Sequence, residues 1–330
     1  MALSNEKAKE YLTRRISPKE KYEDLLKFPR YIEIETVNAC NARCPMCTIN
    51  DWDRRYSAMT DELFQKVAKE ICEHTDEVKR VVLYRDGEPL LDKKLPEKVA
   101  ILKKGGVKTT SISTNVALLS EKKAADLLES GIDHVILSID SLVKDVYESI
   151  RVRCKFEEVM ENAHRFIQLR NKIRPRTQVF IRMIRQKSNL NEWPEYQKYW
   201  SKFVGPQDRV YYHNIFNWGG QLKGFEPVSQ SYELELPCVA LWSLFVIFCN
   251  GDVPLCNVDY NKKYPTGSVV THSIQEIWQS QIMNQRREWH LTGKKNSISL
   301  CENCNVWDEA HDSEHVSNDY ASAHEIPVNV

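Results

Sequence analysis

The 330-residue sequence predicts an α/β protein: a parallel sheet of alternating strands and helices, followed by a smaller α+β unit. Three observations carry that prediction. Six β-branched or alternating apolar runs between residues 31 and 216 are separated by amphipathic helical stretches. The alternation stops near residue 216, and one hairpin and one long helix follow. Eight of the ten cysteines fall into two groups, one directly after the first strand and the other confined to the C-terminal part.

Residues 1–30 read as a polar helical lead-in. YIEIET (31–36) is the first strand, and residues 60–74 form a helix opened by the cap Thr60. VKRVVLY (78–84) is the second strand, and the helix 95–106 is stopped by two glycines. VKTTSIS (107–113), the helix 121–131 and the strand DHVILSID (133–140) follow. The helix 156–170, the strand 177–184, the helix 192–203 and the strand 208–215 complete the series. Strands joined through helices make a parallel sheet with right-handed crossovers, which pattern alone leaves as either a doubly wound sheet or a partial barrel. Residues 217–235 have loop-like composition and mark a linker. WSLFVIFCNGDVPLC (242–256) reads as a β-hairpin turning at Asn250-Gly251, and 273–290 as a helix. The expected division is a lead-in (1–30), a sheet domain (31–216), a linker (217–235), a small domain (236–307) and a polar tail (308–330).

Forty-six basic residues balance forty-six acidic ones, so no net field recruits nucleic acid. No apolar run reaches the ~18 residues of a membrane span, and the charged N-terminus lacks a secretory core. The expected location is the cytoplasm, where clustered cysteines point to metal or catalysis rather than disulfides.

Cys40, Cys44 and Cys47 lie in VNACNARCPMC, directly after the first strand, where α/β folds gather their chemistry. Three thiolates wrapped by one short loop suit three corners of a cubane cluster. A structural zinc would need a fourth ligand. The spacing Cys-x3-Cys-x2-Cys at this position resembles the radical S-adenosylmethionine (SAM) superfamily. Arg85-Asp86-Gly87-Glu88-Pro89, after the second strand, resembles the family's Gly-Gly-Glu-Pro motif, with Asp86 in place of the first glycine. Ser113-Thr114-Asn115 resembles its Thr-Asn-Gly element, with Val116 where glycine is usual, and Ser138-Ile139-Asp140 its Ser-x-Asp element. Each alone could be an ordinary turn or cap. Their recurrence at four successive strand ends, in the family's order, is what favours function.

The resemblance implies a partial (β/α)6 barrel with SAM held at the fourth iron of a [4Fe–4S] cluster. It also implies roles for Glu88 at the SAM ammonium, for Ser113, Asn115, Ser138 and Asp140 as further contacts, and for Met46 on the adenine side. Arg182 would hold the SAM carboxylate or a substrate phosphate.

Cys238, Cys256, Cys301 and Cys304, with Gly251 and Ile277-Trp278 between them, resemble the twitch domain, a short relative of the SPASM domain. Four cysteines can close a second, auxiliary [4Fe–4S] cluster; a zinc ribbon is the alternative. This layout is similar to that of cyclitol dehydrogenases of the butirosin type and of sugar epimerases. An epimerase needs a thiol to return hydrogen, and Cys249 and Cys154 are the candidates. Peptide-modifying relatives often carry a leader-binding domain, for which the 30 residues before the first strand are too few. The expected substrate is therefore a sugar or cyclitol, free or nucleotide-linked, oxidised or epimerised, with His213, Asn214, Asn217 and Trp218 facing it. A flavodoxin or ferredoxin would supply the electron. Radical modification of a peptide is the alternative reaction, and a zinc-stabilised α/β binding protein the alternative outside enzymes.

Overall fold

The computed structural model describes residues 4–54, 57–225, 236–302 and 304. The expected tail (308–330) and half of the expected linker (226–235) lie outside the described residues. Two short helices, Asn5–Ile16 and Tyr22–Leu25, lead into strand β1 (Tyr31–Ile34). Strands β2 (Arg80–Val82), β3 (Thr110–Thr114), β4 (His134–Ser138), β5 (Gln178–Arg185) and β6 (Arg209–Asn214) follow, each after a helix. They pair in parallel in the order β6-β5-β4-β3-β2-β1. The expected helices form within a few residues of their predicted bounds. Thr60, for example, caps Asp61–Glu73 by accepting from Leu63 N at 3.2 Å. An additional helix, Lys144–Ile150, lies between β4 and the helix Phe156–Ile173.

The hairpin expected at 242–256 is corrected. Strand β7 (Leu244–Ile247) joins the main sheet beside β1, parallel, with Tyr31 opposite Leu244 and Ile34 opposite Ile247. All four of its residues are buried, and a run apolar on both faces belongs inside a parallel sheet. The chain does turn at Asn250-Gly251, but β8 (Asp252–Val253) pairs antiparallel with β9 (Gly267–Ser268). The helix expected over 273–290 is two, Ile274–Trp278 and Gln281–Leu291, because Ser280 caps a new start by accepting from Met283 N.

Side-chain alternation along the strands divides the molecule into a core and a lumen. Ile32, Ile34, Ile112, Val135, Leu137, Val179, Ile181 and Met183 belong to the large core shared with the helices. Ile136, Phe180 and Tyr211 form a separate apolar floor on the opposite face of the sheet. One alternation further toward the strand C-termini, that face changes to Glu33, Ser113, Ser138, Arg182 and His213, which line one cavity. The period-two rule thus puts a dry floor under a polar chamber.

Candidate active site

The cavity, about 270 Å³, sits at the C-terminal ends of the strands. Cys40, Cys44, Cys47, Met46, Glu88, Ser113, Asn115, Ser138, Arg182, His213 and Trp218, all singled out from sequence, line it together. Tyr84, Arg85, Arg151 and Asn257 also line it and were not anticipated.

The loop carrying the three cysteines is tied on both flanks. Arg43 Nη1 donates to the carbonyls of Cys40 (2.8 Å) and Ala42 (2.7 Å), and Arg43 N donates to Val152 O (2.9 Å). Glu88 N donates to Ala39 O at 2.8 Å. This close approach explains Gly87. A Cβ there would stand 2.4 Å from Val37 O and 2.7 Å from Ala39 O, so only glycine lets the second-strand loop dock on the cysteine loop. Val116, where the family resemblance has glycine, adopts φ 69°, the left-handed conformation that β-branched residues resist.

Glu88 is buried and fixed. Its carboxylate accepts from Thr114 Oγ1 (2.8 Å), Asn115 N (2.8 Å) and Leu90 N (3.1 Å). Burial outweighs these bonds and raises its pKa above the ordinary carboxylate range. A ligand ammonium would supply the counter-charge that such a carboxylate takes up. Arg182 Nη2 donates to Ser113 Oγ (2.9 Å) and Ser138 Oγ (3.0 Å), linking three strand ends. Asp86, the departure from the Gly-Gly-Glu-Pro pattern, accepts from Arg85 Nη1 at 2.7 Å and lies 3.4 Å from Arg54 Nη2. It serves two guanidiniums, and burial raises its pKa.

The donor set fits an iron–sulfur cluster on its chemistry. Burial, then the Glu88 carboxylate, pushes the Cys40 thiol up to about 11; burial, then Cys44, pushes Cys47 up to about 12. Buried thiols that resist ionisation alone give up the proton to a coordinated metal. In the second set, burial comes first in raising the Cys256 thiol, followed by the charges of Cys301, Cys304 and Cys238. Asp259 shapes the loop around Cys256, accepting from Leu255 N (3.2 Å), Lys263 N (2.7 Å) and Tyr264 N (3.0 Å). Asn257, next to Cys256, reaches the cavity wall.

Two further contacts join the halves at the cavity. Trp218 Nε1 donates to Met46 O at 3.2 Å, and Gln221 Nε2 to Val258 O at 3.0 Å. Arg54, just past the cysteine loop, holds Glu35 through two bonds (2.6 and 3.0 Å) and Tyr260 O through Nε (2.7 Å).

Besides the four cysteines of the second set, five expected site residues lie outside the cavity lining. The Asp140 carboxylate accepts from Arg151 Nε (2.6 Å) and Ile184 N (2.7 Å), so an internal arginine and a strand amide occupy it rather than a ligand. Asn214 accepts from Arg185 Nε at 2.9 Å, and Asn217 accepts from Gly220 N at 2.9 Å. Cys249 is buried against Ser57 Oγ at 2.9 Å, its thiol pushed up to about 11 by burial and then Glu35. Cys154 is buried, with its thiol raised to about 12 by burial and then Cys44.

Residues 34–185 match the radical SAM superfamily, and residues 238–305 match the SPASM iron–sulfur cluster-binding domain. A GTP 3′,8-cyclase of Chlorobaculum tepidum is 34% identical over 139 residues, 42% of this chain and 41% of that protein. A tungsten-containing aldehyde ferredoxin oxidoreductase cofactor-modifying protein of Pyrococcus furiosus is 33% identical over 113 residues, 34% of this chain and 31% of that protein. The chain thus spans less than half the length of these curated relatives. BtrN, solved in complex with AdoMet and 2-DOIA, superposes with a TM-score of 0.60 at 22% identity, covering 84% of this chain and 94% of that one. SuiB of Streptococcus suis bound to its precursor peptide SuiA gives 0.67 at 14% identity, covering 89% and 76%.

Proposed function

We propose that the chain, whose residues 34–185 match the radical SAM superfamily and 238–305 the SPASM domain, is a radical SAM enzyme with SAM and two [4Fe–4S] clusters as its cofactors, and that it oxidises a secondary alcohol of a sugar or cyclitol to a ketone. When bound at a first cluster held by Cys40, Cys44 and Cys47, SAM would supply the hydrogen-atom acceptor. Oxidation of a carbinol then requires removal of one hydrogen atom, one proton and one electron.

The residues divide that work. Glu88 would hold the SAM ammonium, and Arg182, Ser113 and Ser138 would take its carboxylate side. Glu33, Arg85, His213 and Asn257 are the hydroxyl-binding groups, while Trp218 and Phe216, with ring centroids 4.8 Å apart, offer an aromatic face to a sugar ring. His213 accepts the hydroxyl proton. Cys238, Cys256, Cys301 and Cys304 would hold the auxiliary cluster, which would accept the electron, and Asn257, next to Cys256, lies at the cavity wall.

The observation that carries oxidation over epimerisation is the lining itself. Among the described residues it contains no thiol besides the three cluster cysteines. The test is anaerobic turnover of the iron-loaded chain with sugars and cyclitols in deuterated water. The expected product is a ketone formed with 5′-deoxyadenosine, and Cys249→Ala and Cys154→Ala retain at least half the rate. An epimer carrying solvent deuterium at carbon, lost in either cysteine variant, would overturn the reading.

A further inference from the structure

Arg151 lines the pocket and reaches a cluster cysteine. It follows the helix Lys144–Ile150, and its backbone N donates to Tyr147 O at 2.7 Å, fixing its position. Its Nε donates to Asp140 Oδ2 at 2.6 Å, while Asp140 Oδ1 accepts from Ile184 N at 2.7 Å. The guanidinium is thereby clamped to the β4 and β5 ends, and its Nη1 lies 3.9 Å from Cys44 Sγ. The same segment is laced to the cysteine loop by the bond from Arg43 N to Val152 O at 2.9 Å. Three independent attachments therefore hold one positive charge against one thiolate.

We propose that Arg151 is a positioning residue that sets the reduction potential of the first cluster. An N–H donor and a fixed positive charge at a ligating sulfur favour the reduced cluster, which carries one more negative charge. Asp140 aims the guanidinium, whose rigid planar fork presents one N–H to the carboxylate and another to the sulfur, a geometry that a flexible lysine ammonium does not hold as firmly. The carboxylate that sequence alone assigns to SAM thus acts through Arg151. The consequence is a first cluster that accepts its electron from a weaker reductant than it otherwise would.

The proposal rests on Cys40, Cys44 and Cys47 holding a cluster and is independent of the substrate. A chain that takes up no iron at these cysteines sinks that assignment; an iron-loaded chain with an unmoved potential sinks only the role of Arg151. The test is a potentiometric titration of the anaerobically reconstituted full chain, followed by electron paramagnetic resonance. The signal perturbed by adding SAM belongs to the first cluster, and the other serves as internal reference. Arg151→Met should lower the ratio of reduced to oxidised first cluster at a fixed potential about tenfold, or about 59 mV for one electron. Arg151→Lys should lower it about threefold, and the auxiliary signal should stay put. First-cluster midpoints within twofold of wild type in both variants overturn the proposal, as does a parallel shift of both clusters. If only the methionine variant loses its first cluster, the lysine variant decides: a roughly threefold fall supports the proposal and a wild-type ratio overturns it. Loss of the first cluster from both variants, with unchanged circular dichroism, overturns tuning in favour of a role in assembly.

Discussion

At the scale of single residues, Glu88 carries the most specific expectation. Its three bonds to Thr114, Asn115 and Leu90 hold the carboxylate in place without neutralising it. Glu88→Gln keeps the shape and removes the charge. SAM binding to the iron-loaded chain, measured by calorimetry, should weaken about tenfold or more while iron content stays unchanged. The cysteine loop and Glu88 were legible in the sequence because their chemistry depends on short, fixed spacings. Arg151 was not legible, because its contact with Cys44 bridges 107 positions that only the folded sheet brings together. Asp140 misled for a related reason. A carboxylate at a strand end suits a ligand and an arginine equally, and the arginine stands eleven residues on. Glu33 and Arg85 look like ordinary strand charges until the alternation of β1 and the end of β2 turn them into the cavity.

At the scale of elements, the parallel pairing of the first six strands followed from the strand–helix alternation, though not their order, whereas the place of β7 did not. The Asn250-Gly251 turn dominated the local reading, but burial of Leu244, Phe245, Val246 and Ile247 on both faces selects a place beside β1. A continuous apolar run was the signal available for it. One buried ion pair holds the far edge of the sheet. Arg170 on the helix Phe156–Ile173 grips both oxygens of Asp208 at 2.6 Å just before β6, with both side chains almost fully buried. Asp208→Ala leaves that guanidinium uncompensated and should cost about 3–5 kcal/mol in chemical denaturation. A cost below about 1 kcal/mol would mean that water replaces the carboxylate and that the pair does not fasten the helix to the sheet.

At the scale of the whole molecule, contacts around the chamber join the sheet to the C-terminal part that carries the second cysteine set. Trp218 bonded to Met46, Arg54 bonded to Tyr260, and Asn257 at the wall bring the SPASM domain onto the mouth of the barrel. No helix among the described residues is long and apolar enough to cross a membrane. The reconstituted chain should carry about eight irons. The double substitution Cys238→Ala, Cys256→Ala should retain about four irons and still cleave SAM, yet form no ketone; iron analysis and product chromatography read both outcomes. Ketone formation undiminished in that variant would remove the auxiliary cluster from the electron path. The central claim is that a carbinol hydrogen of the substrate leaves as a hydrogen atom inside this chamber. Its most direct test is turnover of a substrate deuterated at the carbinol carbon, with mass analysis of the 5′-deoxyadenosine. One deuterium should appear in the 5′-deoxyadenosine for each ketone formed; unlabelled 5′-deoxyadenosine accompanying the ketone would rule out hydrogen-atom removal from that carbon.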